Sequence, residues 1–167
     1  SEIAPHAWKA GSQTELLRQK LEAITDGQQI LILPPANPYR CPPAPYERAS
    51  MMAHFLKHKG VDAKIIILDA KETFSKQGLF LPGWEKHYQG MIEWYGPGVH
   101  GGVKSIDVEA GTVETDLDTS RGDLINVIPA HRAVAIAIAA ELPASRGFCP
   151  LQALSLRSTR DTPVSFI

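Results

Sequence analysis

The chain has 167 residues, of which 44% are hydrophobic and 21% charged, a composition typical of a folded globular protein rather than a disordered one. Its 17 basic residues oppose 18 acidic ones, and the formal net charge of −1 disfavours a general nucleic-acid-binding face. No apolar run approaches the ~20 residues of a transmembrane helix, so we expect no integral membrane segment. Two cysteines are too few for a disulfide scaffold.

The spacing of apolar residues predicts alternating helices and strands. In chain order we predict a helix from Ser12 that Gly27 ends, strands over 30–33 and 63–68 with a helix over 46–59 between them, a short helix around Trp84, a strand over 91–95, a β-hairpin over 103–117, a strand over 124–128, a helix over 131–142, and a last strand over 163–167 that runs on into a further element.

The strand–helix–strand pattern over 30–68 is a βαβ unit, which builds a parallel sheet with a right-handed crossover. No linker long enough to divide the chain is evident. We therefore predict one α/β domain over residues 1–167. Its fold would be Rossmann-like, of the FAD/NAD(P)-binding type, with a parallel sheet flanked by helices and an antiparallel β insertion.

The turn after the first strand departs from a dinucleotide-binding fold. Such folds have a glycine-rich turn there, and its backbone N–H groups bind the pyrophosphate. Here the turn contains six prolines, at positions 34, 35, 38, 42, 43 and 45. Proline has no N–H, and its ring fills the space that a phosphate needs. We therefore predict that the pyrophosphate-binding site of the dinucleotide-binding fold has been lost in this chain.

Two other features suggest a dinucleotide site, and neither is convincing. Residues 96–101 read Gly-Pro-Gly-Val-His-Gly, but a hairpin is predicted to follow, whereas the G-x-G-x-x-G motif must open a helix. Asp69 follows the second strand, the usual place of a ribose-binding acid, but the glycine turn that should accompany it is missing.

Cys41 lies within the proline-rich turn, at the carboxyl edge where open α/β sheets place their chemistry. The start of the following helix, together with Arg40 and Arg48, favours negative charge on its sulfur. Glu47, in the first helical turn, could exchange a proton with a bound substrate. On residue types alone, an inert buried thiol in a rigid connector explains Cys41 equally well.

The remaining candidate residues suggest no further site. Cys149 has no comparable setting, and we interpret it as structural; its spacing from Cys41 does not decide whether the two cysteines pair. His54 and His58 have the i, i+4 spacing of metal ligands, but no third ligand is evident. We therefore predict no metal site.

The run over 40–49 reads Arg-Cys-Pro-Pro-Ala-Pro-Tyr-Glu-Arg-Ala, and it is accompanied by characteristic blocks at 5–11, 66–69, 73–77, 83–85, 91–94, 128–129, 132–133 and 149–150. Together these segments resemble the flavin-binding subunit of flavocytochrome c sulfide dehydrogenase, which is related to the sulfide:quinone reductases. Ala44 departs from the pattern, since the family usually has glycine there.

The resemblance implies a flavoprotein of the disulfide-reductase type that binds FAD and oxidises sulfide to sulfur or polysulfide. Electrons would pass to haem c on a c-type cytochrome subunit, and the location would be periplasmic. The chain matches the second, NADH-like domain of such a protein, without the N-terminal FAD-binding part and the C-terminal part. Alone, it is therefore expected to be inactive and to retain no FAD.

The resemblance also implies roles for particular residues. By position, Cys41 matches one cysteine of the redox pair, whose partner would lie beyond Ile167, and Glu47 matches the acid/base beside it. Pro42, Pro43 and Pro129 match positions that face the flavin.

Two other functions stay open from the sequence. One is a non-catalytic interaction domain that uses the proline-rich turn as a rigid docking surface. The other is a nicotinamide-linked flavoprotein reductase domain, which would bind NADH.

Overall fold

The computed structural model describes residues 3–144, 147–161 and 163–166. They form two compact units. The first contains the residues up to 37 together with 41–129, and the second contains 38–40 together with the residues from 130 onward. That the whole chain behaves as one domain stays a prediction.

The first unit contains the predicted succession of helices and strands, with one short helix and one strand in addition. In chain order they are α1 (Ser12–Glu22), β1 (Gln29–Leu33), α2 (Ala44–Lys59), β2 (Lys64–Leu68), α3 (Gln77–His87), β3 (Ile92–Tyr95), α4 (Pro97–His100), β4 (Val103–Asp107), β5 (Thr112–Thr115), β6 (Thr119–Arg121) and β7 (Leu124–Val127). Within the described ranges, no helix combines the length and the apolar character needed to cross a membrane.

Four of these strands form a parallel sheet in the order β3-β2-β1-β7. Ile32 of the central strand β1 pairs with Ile67 of β2 on one side and with Asn126 of β7 on the other. The fourth parallel strand thus crosses back past the first, as in a Rossmann half. The predicted Rossmann-like α/β fold is confirmed.

Both faces of this sheet are covered, which explains the continuous apolar runs in its strands. On one face Ile30, Ile32 and Ile67 pack in a core with residues of α1, α2 and α3. On the other face Leu31 packs in a second core with Val113 of β5. Because the four strands are parallel, their carboxyl ends meet at one edge of the sheet, next to the turns that follow them.

The predicted antiparallel insertion is present and gains a third strand. β4 pairs with β5 as expected for the hairpin, and β5 also pairs with β6. The chain then enters β7 through Gly122, where an added Cβ would lie only 2.7 Å from Cγ of Leu31. Glycine at this position thus lets the insertion approach the central strand.

In the second unit the predicted helix over 131–142 is wrong in its extent, because only α5 (Ala135–Ala139) is helical. Val134 and Ile136 are exposed, and a helix this short depends on buried apolar contacts for its stability. Glu141, with φ of 54°, lies outside the right-handed helical region, so the helix does not continue.

The predicted strand over 163–167 is also wrong for the residues that the structure describes. Ser165 makes an isolated antiparallel bridge with Arg157, as Leu151 does with Ser158. Residue 167 lies outside the described residues.

Candidate active site

Cys41 lies in the turn that follows β1, immediately before α2, and its side chain is exposed. Its φ is 56°, in the left-handed region that non-glycine residues seldom occupy. Its carbonyl oxygen accepts a hydrogen bond of 3.0 Å from the N–H of Ala44. Cys41 and Cys149 are both free thiols. The alternative of a buried thiol at position 41 is therefore wrong.

The first turn of α2 offers no free N–H group to an anion. Pro43 and Pro45 have none, and the N–H of Ala44 donates to Cys41. The N–H groups of Tyr46 and Glu47 both donate to the carbonyl oxygen of Pro43, each over 3.1 Å. The helix start that would bind a pyrophosphate in a dinucleotide-binding fold is thus fully occupied, as the prolines predict.

The other predicted site residues lie around the same edge of the sheet. Glu47 is exposed in the first turn of α2, and no hydrogen bond joins its side chain to that of Cys41 within the described residues. Pro42 is exposed and Pro43 half-buried. Pro129 is exposed and follows β7, the strand next to β1, so it belongs to the same carboxyl edge as the Cys41 turn.

The sequence suggests that Arg48 favours negative charge on the Cys41 sulfur, but in the structure its guanidinium has other partners. Its guanidinium donates to the carbonyl oxygens of His6 at 2.7 Å and Ala7 at 2.6 Å, and to Oδ1 of Asn126 at 3.0 Å. It also lies 5.0 Å from the centre of the Trp8 ring. Burial lowers the pKa of Arg48 to about 10, so it stays charged at neutral pH. Arg48 fixes the segment before α1 against the sheet.

Asp69, rejected from the sequence as a ribose-binding acid, is fully buried behind the turn. Oδ2 accepts hydrogen bonds from the Tyr46 hydroxyl at 2.6 Å and from Nε1 of Trp94 at 2.9 Å. Oδ1 lies 2.5 Å from Nζ of Lys71, which also donates to the carbonyl oxygen of Pro35 at 2.9 Å. The carboxylate is thus committed inside the protein and does not face a nucleotide.

The glycine motif over 96–101 contains the single helical turn α4, so the expectation that it runs directly into a hairpin is wrong in detail. One turn does not form the long helix that the motif requires. Moreover, Oε2 of Glu72 lies 3.1 Å from the position of a Cβ on Gly96 and 3.3 Å from that on Gly98. A carboxylate at the glycines would repel a pyrophosphate.

Sequence reasoning missed the partners of Asp69, namely Tyr46, Lys71, Trp94 and His100. His100 is buried, and its Nε2 lies 3.0 Å from the carbonyl oxygen of Asp69. The signal available in the sequence is an aspartate directly after a buried strand with a lysine two residues later, because a charge in that position must find an opposite charge nearby.

No metal site emerges among the residues that the structure describes. The ring centres of His54 and His58 lie 4.0 Å apart on the exposed surface of α2, with the rings tilted by 42°, and no group of three potential ligands surrounds them or any other position in those ranges.

A family model described as the central part of the sulfide dehydrogenase (flavocytochrome c) flavoprotein chain matches residues 14–129, more than half of the chain. The chain belongs to this family. The matched region includes Cys41, Glu47 and Pro129, and also the buried Asp69. The resemblance drawn from the Cys-Pro-Pro block is therefore confirmed, and the chain is part of a flavoprotein of the oxidoreductase type.

Two solved structures show what the flavoprotein chain's fold is similar to. One is an engineered water-forming NADPH oxidase bound to NADPH, with a TM-score of 0.57 and 11% identity, covering 95% of this chain and 34% of that one. The other is a chain of the Tetrahymena thermophila mitochondrial ATP synthase, with a TM-score of 0.51 and 13% identity, covering 93% and 39%. At these identities the likeness concerns the fold alone, and the flavoprotein chain spans well under half the length of either.

Proposed function

We propose that the chain is the second, nicotinamide-type domain of a flavoprotein that oxidises sulfide to sulfur or polysulfide. Cys41 is the residue that bonds to the substrate sulfur, FAD is the cofactor, and a c-type cytochrome subunit with haem c is the electron acceptor. The family match supports this proposal, and a periplasmic location is proposed with it. The observation that carries it is an exposed, strained cysteine where a nucleotide-binding turn would be.

The chemistry requires a second cysteine, which the resemblance puts beyond the residues of this chain. Hydrosulfide attacks Cys41 while Cys41 is disulfide-bonded to that partner. A new S–S bond joins the substrate to Cys41, the old one breaks, and its electron pair leaves with the partner as a thiolate. This exchange oxidises the substrate sulfur by two electrons at the expense of the disulfide, and a bound flavin would supply the acceptor for that electron pair when the disulfide is formed again. Cys41 needs only to be accessible and held in one orientation, and its exposure meets the first condition.

The residues at this edge fit the ring of a flavin better than its dinucleotide half. The start of α2 has no free N–H group. The enclosed Asp69 stands at the ribose position and the Glu72 carboxylate lies at the glycines of 96–101, so the ADP moiety of FAD finds no partner there. In contrast, Pro42, which follows Cys41 in the chain, and Pro129, at the same edge of the sheet, both present exposed apolar rings. In this proposal, Pro42, Pro43 and Pro129 line a flavin ring whose nucleotide portion is bound elsewhere in the protein, and Glu47 exchanges protons with the sulfur substrate.

The features that remove the nucleotide site also disfavour the nicotinamide-linked reductase. NADH needs a free carboxylate for its ribose and free N–H groups for its pyrophosphate. Asp69 is enclosed, and the start of α2 is blocked.

The test replaces Cys41 with serine in the full-length protein and measures sulfide-dependent reduction of its cytochrome. The matched control is Cys149→Ser, which removes the other free thiol of this chain. We expect Cys41→Ser to lower kcat about a thousandfold or more, because no other group here forms the S–S bond. The control should retain activity. Unchanged turnover in Cys41→Ser would contradict the proposal and favour a non-catalytic docking role for the proline-rich turn.

The 167-residue chain alone gives a second test. Since the residues that the structure describes form no site for the ADP portion of FAD, we expect it to purify colourless and to reduce no cytochrome with sulfide. A yellow product, or turnover by the isolated chain, would show that a flavin-binding site has been overlooked.

A further inference from the structure

Asp69 lies between the two ends of the turn that contains Cys41. At the start of the turn, Lys71 holds the carbonyl oxygen of Pro35 with the same ammonium that pairs with Asp69. At its end, Tyr46, five positions after Cys41, donates its hydroxyl to the same carboxylate. One carboxylate therefore connects to both ends of the turn, and we call Asp69, Lys71 and Tyr46 the clamp.

The clamp is buried away from solvent, so its hydrogen bonds have one favourable geometry. Asp69 and Tyr46 are fully buried, and the Lys71 side chain is 9% exposed. Water cannot replace a lost partner in such a place, so each hydrogen bond has one satisfactory arrangement. The Tyr46 ring is held as well, because it stacks on Phe74 with ring centres 3.9 Å apart. The two ends of the turn are thus fixed independently of solvent.

The residues between these ends transmit that constraint to the thiol. Pro38, Pro42 and Pro43 have fixed φ angles, which leaves the turn few ways to bend once its ends are held. The backbone of Cys41 is strained, since its φ of 56° is unfavourable for a residue with a Cβ. A strained conformation persists only where the surroundings over-determine it, and the clamp provides that over-determination.

We propose that Asp69 is a positioning residue for Cys41. It occupies the place of a nucleotide-binding acid, but it acts inward, setting the orientation of the thiol through Lys71 and Tyr46. This inference rests on the proposed function, because it assumes that the orientation of Cys41 matters for reaction with sulfide.

Three variants of the full-length protein test the clamp. Tyr46→Phe and Lys71→Met each cut one link between Asp69 and the turn. Trp94→Phe is the matched control, since it also removes a hydrogen bond to Oδ2 of Asp69 but belongs to β3 and not to the turn. Hydrogen–deuterium exchange is read at the N–H groups of residues 44 and 46, which are bonded to the carbonyl oxygens of residues 41 and 43.

We expect these amides to exchange about tenfold faster in Tyr46→Phe, which corresponds to the loss of one buried hydrogen bond, and at least tenfold faster in Lys71→Met, which also leaves the Asp69 carboxylate without its counter-charge. In Trp94→Phe the change should stay below about twofold. Equal acceleration in all three variants would overturn the proposal, because a general loosening of the core would then be the cause. No acceleration in Tyr46→Phe would also overturn it.

Kinetics provide a readout that a purely structural role would not move. With the thiol misoriented, kcat for sulfide should fall about tenfold in Tyr46→Phe with KM little changed, and Lys71→Arg, which keeps the charge, should recover most of the loss seen in Lys71→Met. A loss confined to KM, or no recovery by arginine, would contradict the role of the clamp. The proposed function fails separately, if Cys41→Ser remains active while the exchange results stand.

Discussion

Asparagine at position 69 is the sharpest test of the buried network. Asp69→Asn keeps the shape of the side chain but removes the charge that faces Lys71, whose ammonium then lies almost buried without a counter-charge. Breaking a buried pair in this way costs about 3–5 kcal/mol. With a urea m-value of about 2 kcal/mol/M, the unfolding midpoint of the 167-residue chain should fall by about 1.5–2.5 M.

The coupling between the two residues can be measured with a double-mutant cycle. Lys71→Met alone should also destabilise by about 3–5 kcal/mol, because it leaves the carboxylate unpaired. The double variant removes both charges, so its cost should be less than the sum of the single costs by about 2 kcal/mol or more. Urea unfolding followed by circular dichroism gives all four values.

An exposed pair in the same sheet is the control. Nζ of Lys64 lies 2.6 Å from Oε1 of Glu93, but the two side chains are 43% and 33% exposed. Removing this pair should cost less than about 1 kcal/mol. If Asp69→Asn is as mild as the control, or if the costs of Asp69→Asn and Lys71→Met simply add, the account of a dry, coupled network is refuted.

Three further predictions concern ionisation and ligand binding. Burial, with a contribution from Arg48, lowers the pKa of His6, whose Nδ1 accepts the N–H of Trp8 at 2.9 Å. Because the folded state favours the neutral imidazole, the contribution of His6 to the free energy of unfolding should be complete above pH ~6.5, the usual histidine pKa. It should be lost as the pH falls through the lowered pKa. His6→Gln should abolish that part of the pH dependence of unfolding, and an unaltered profile would contradict it. The hydrogen bond from Lys64 lowers the pKa of Glu93, so an NMR titration of Lys64→Met should show it rising; an unchanged pKa would assign the shift elsewhere. Calorimetry should detect no NADH binding to the chain, and saturable binding would show that the nucleotide position is not obstructed.

Much of the first unit could be predicted from local patterns. Strands buried on both faces read as unbroken apolar runs, and the amphipathic spacing of α2 marks it as a helix. Cys41 was identifiable because prolines stand where glycines are required. In each of these cases the decisive interaction is encoded within a few neighbouring residues.

The errors have a different physical origin. The helix over 131–142 has the right local composition, but its apolar residues remain exposed, and burial cannot be read from one segment. The sequence suggests that Arg48 acts on Cys41, which is close to it in the chain. In the structure its partners include Asn126, which is distant in the chain. The clamp was missed for the same reason, since Pro35, Tyr46 and Lys71 converge only once the parallel sheet is formed.

The obstruction of the nucleotide position is redundant, and this bears on how the site could be redesigned. Proline at the helix start, an enclosed Asp69 and the Glu72 carboxylate at the glycines each obstruct the binding of a pyrophosphate or a ribose. Reversing one of them leaves the other two in place, so we expect no single substitution to restore NADH binding. A designer who wished to return nicotinamide binding to this scaffold would have to alter all three positions at once.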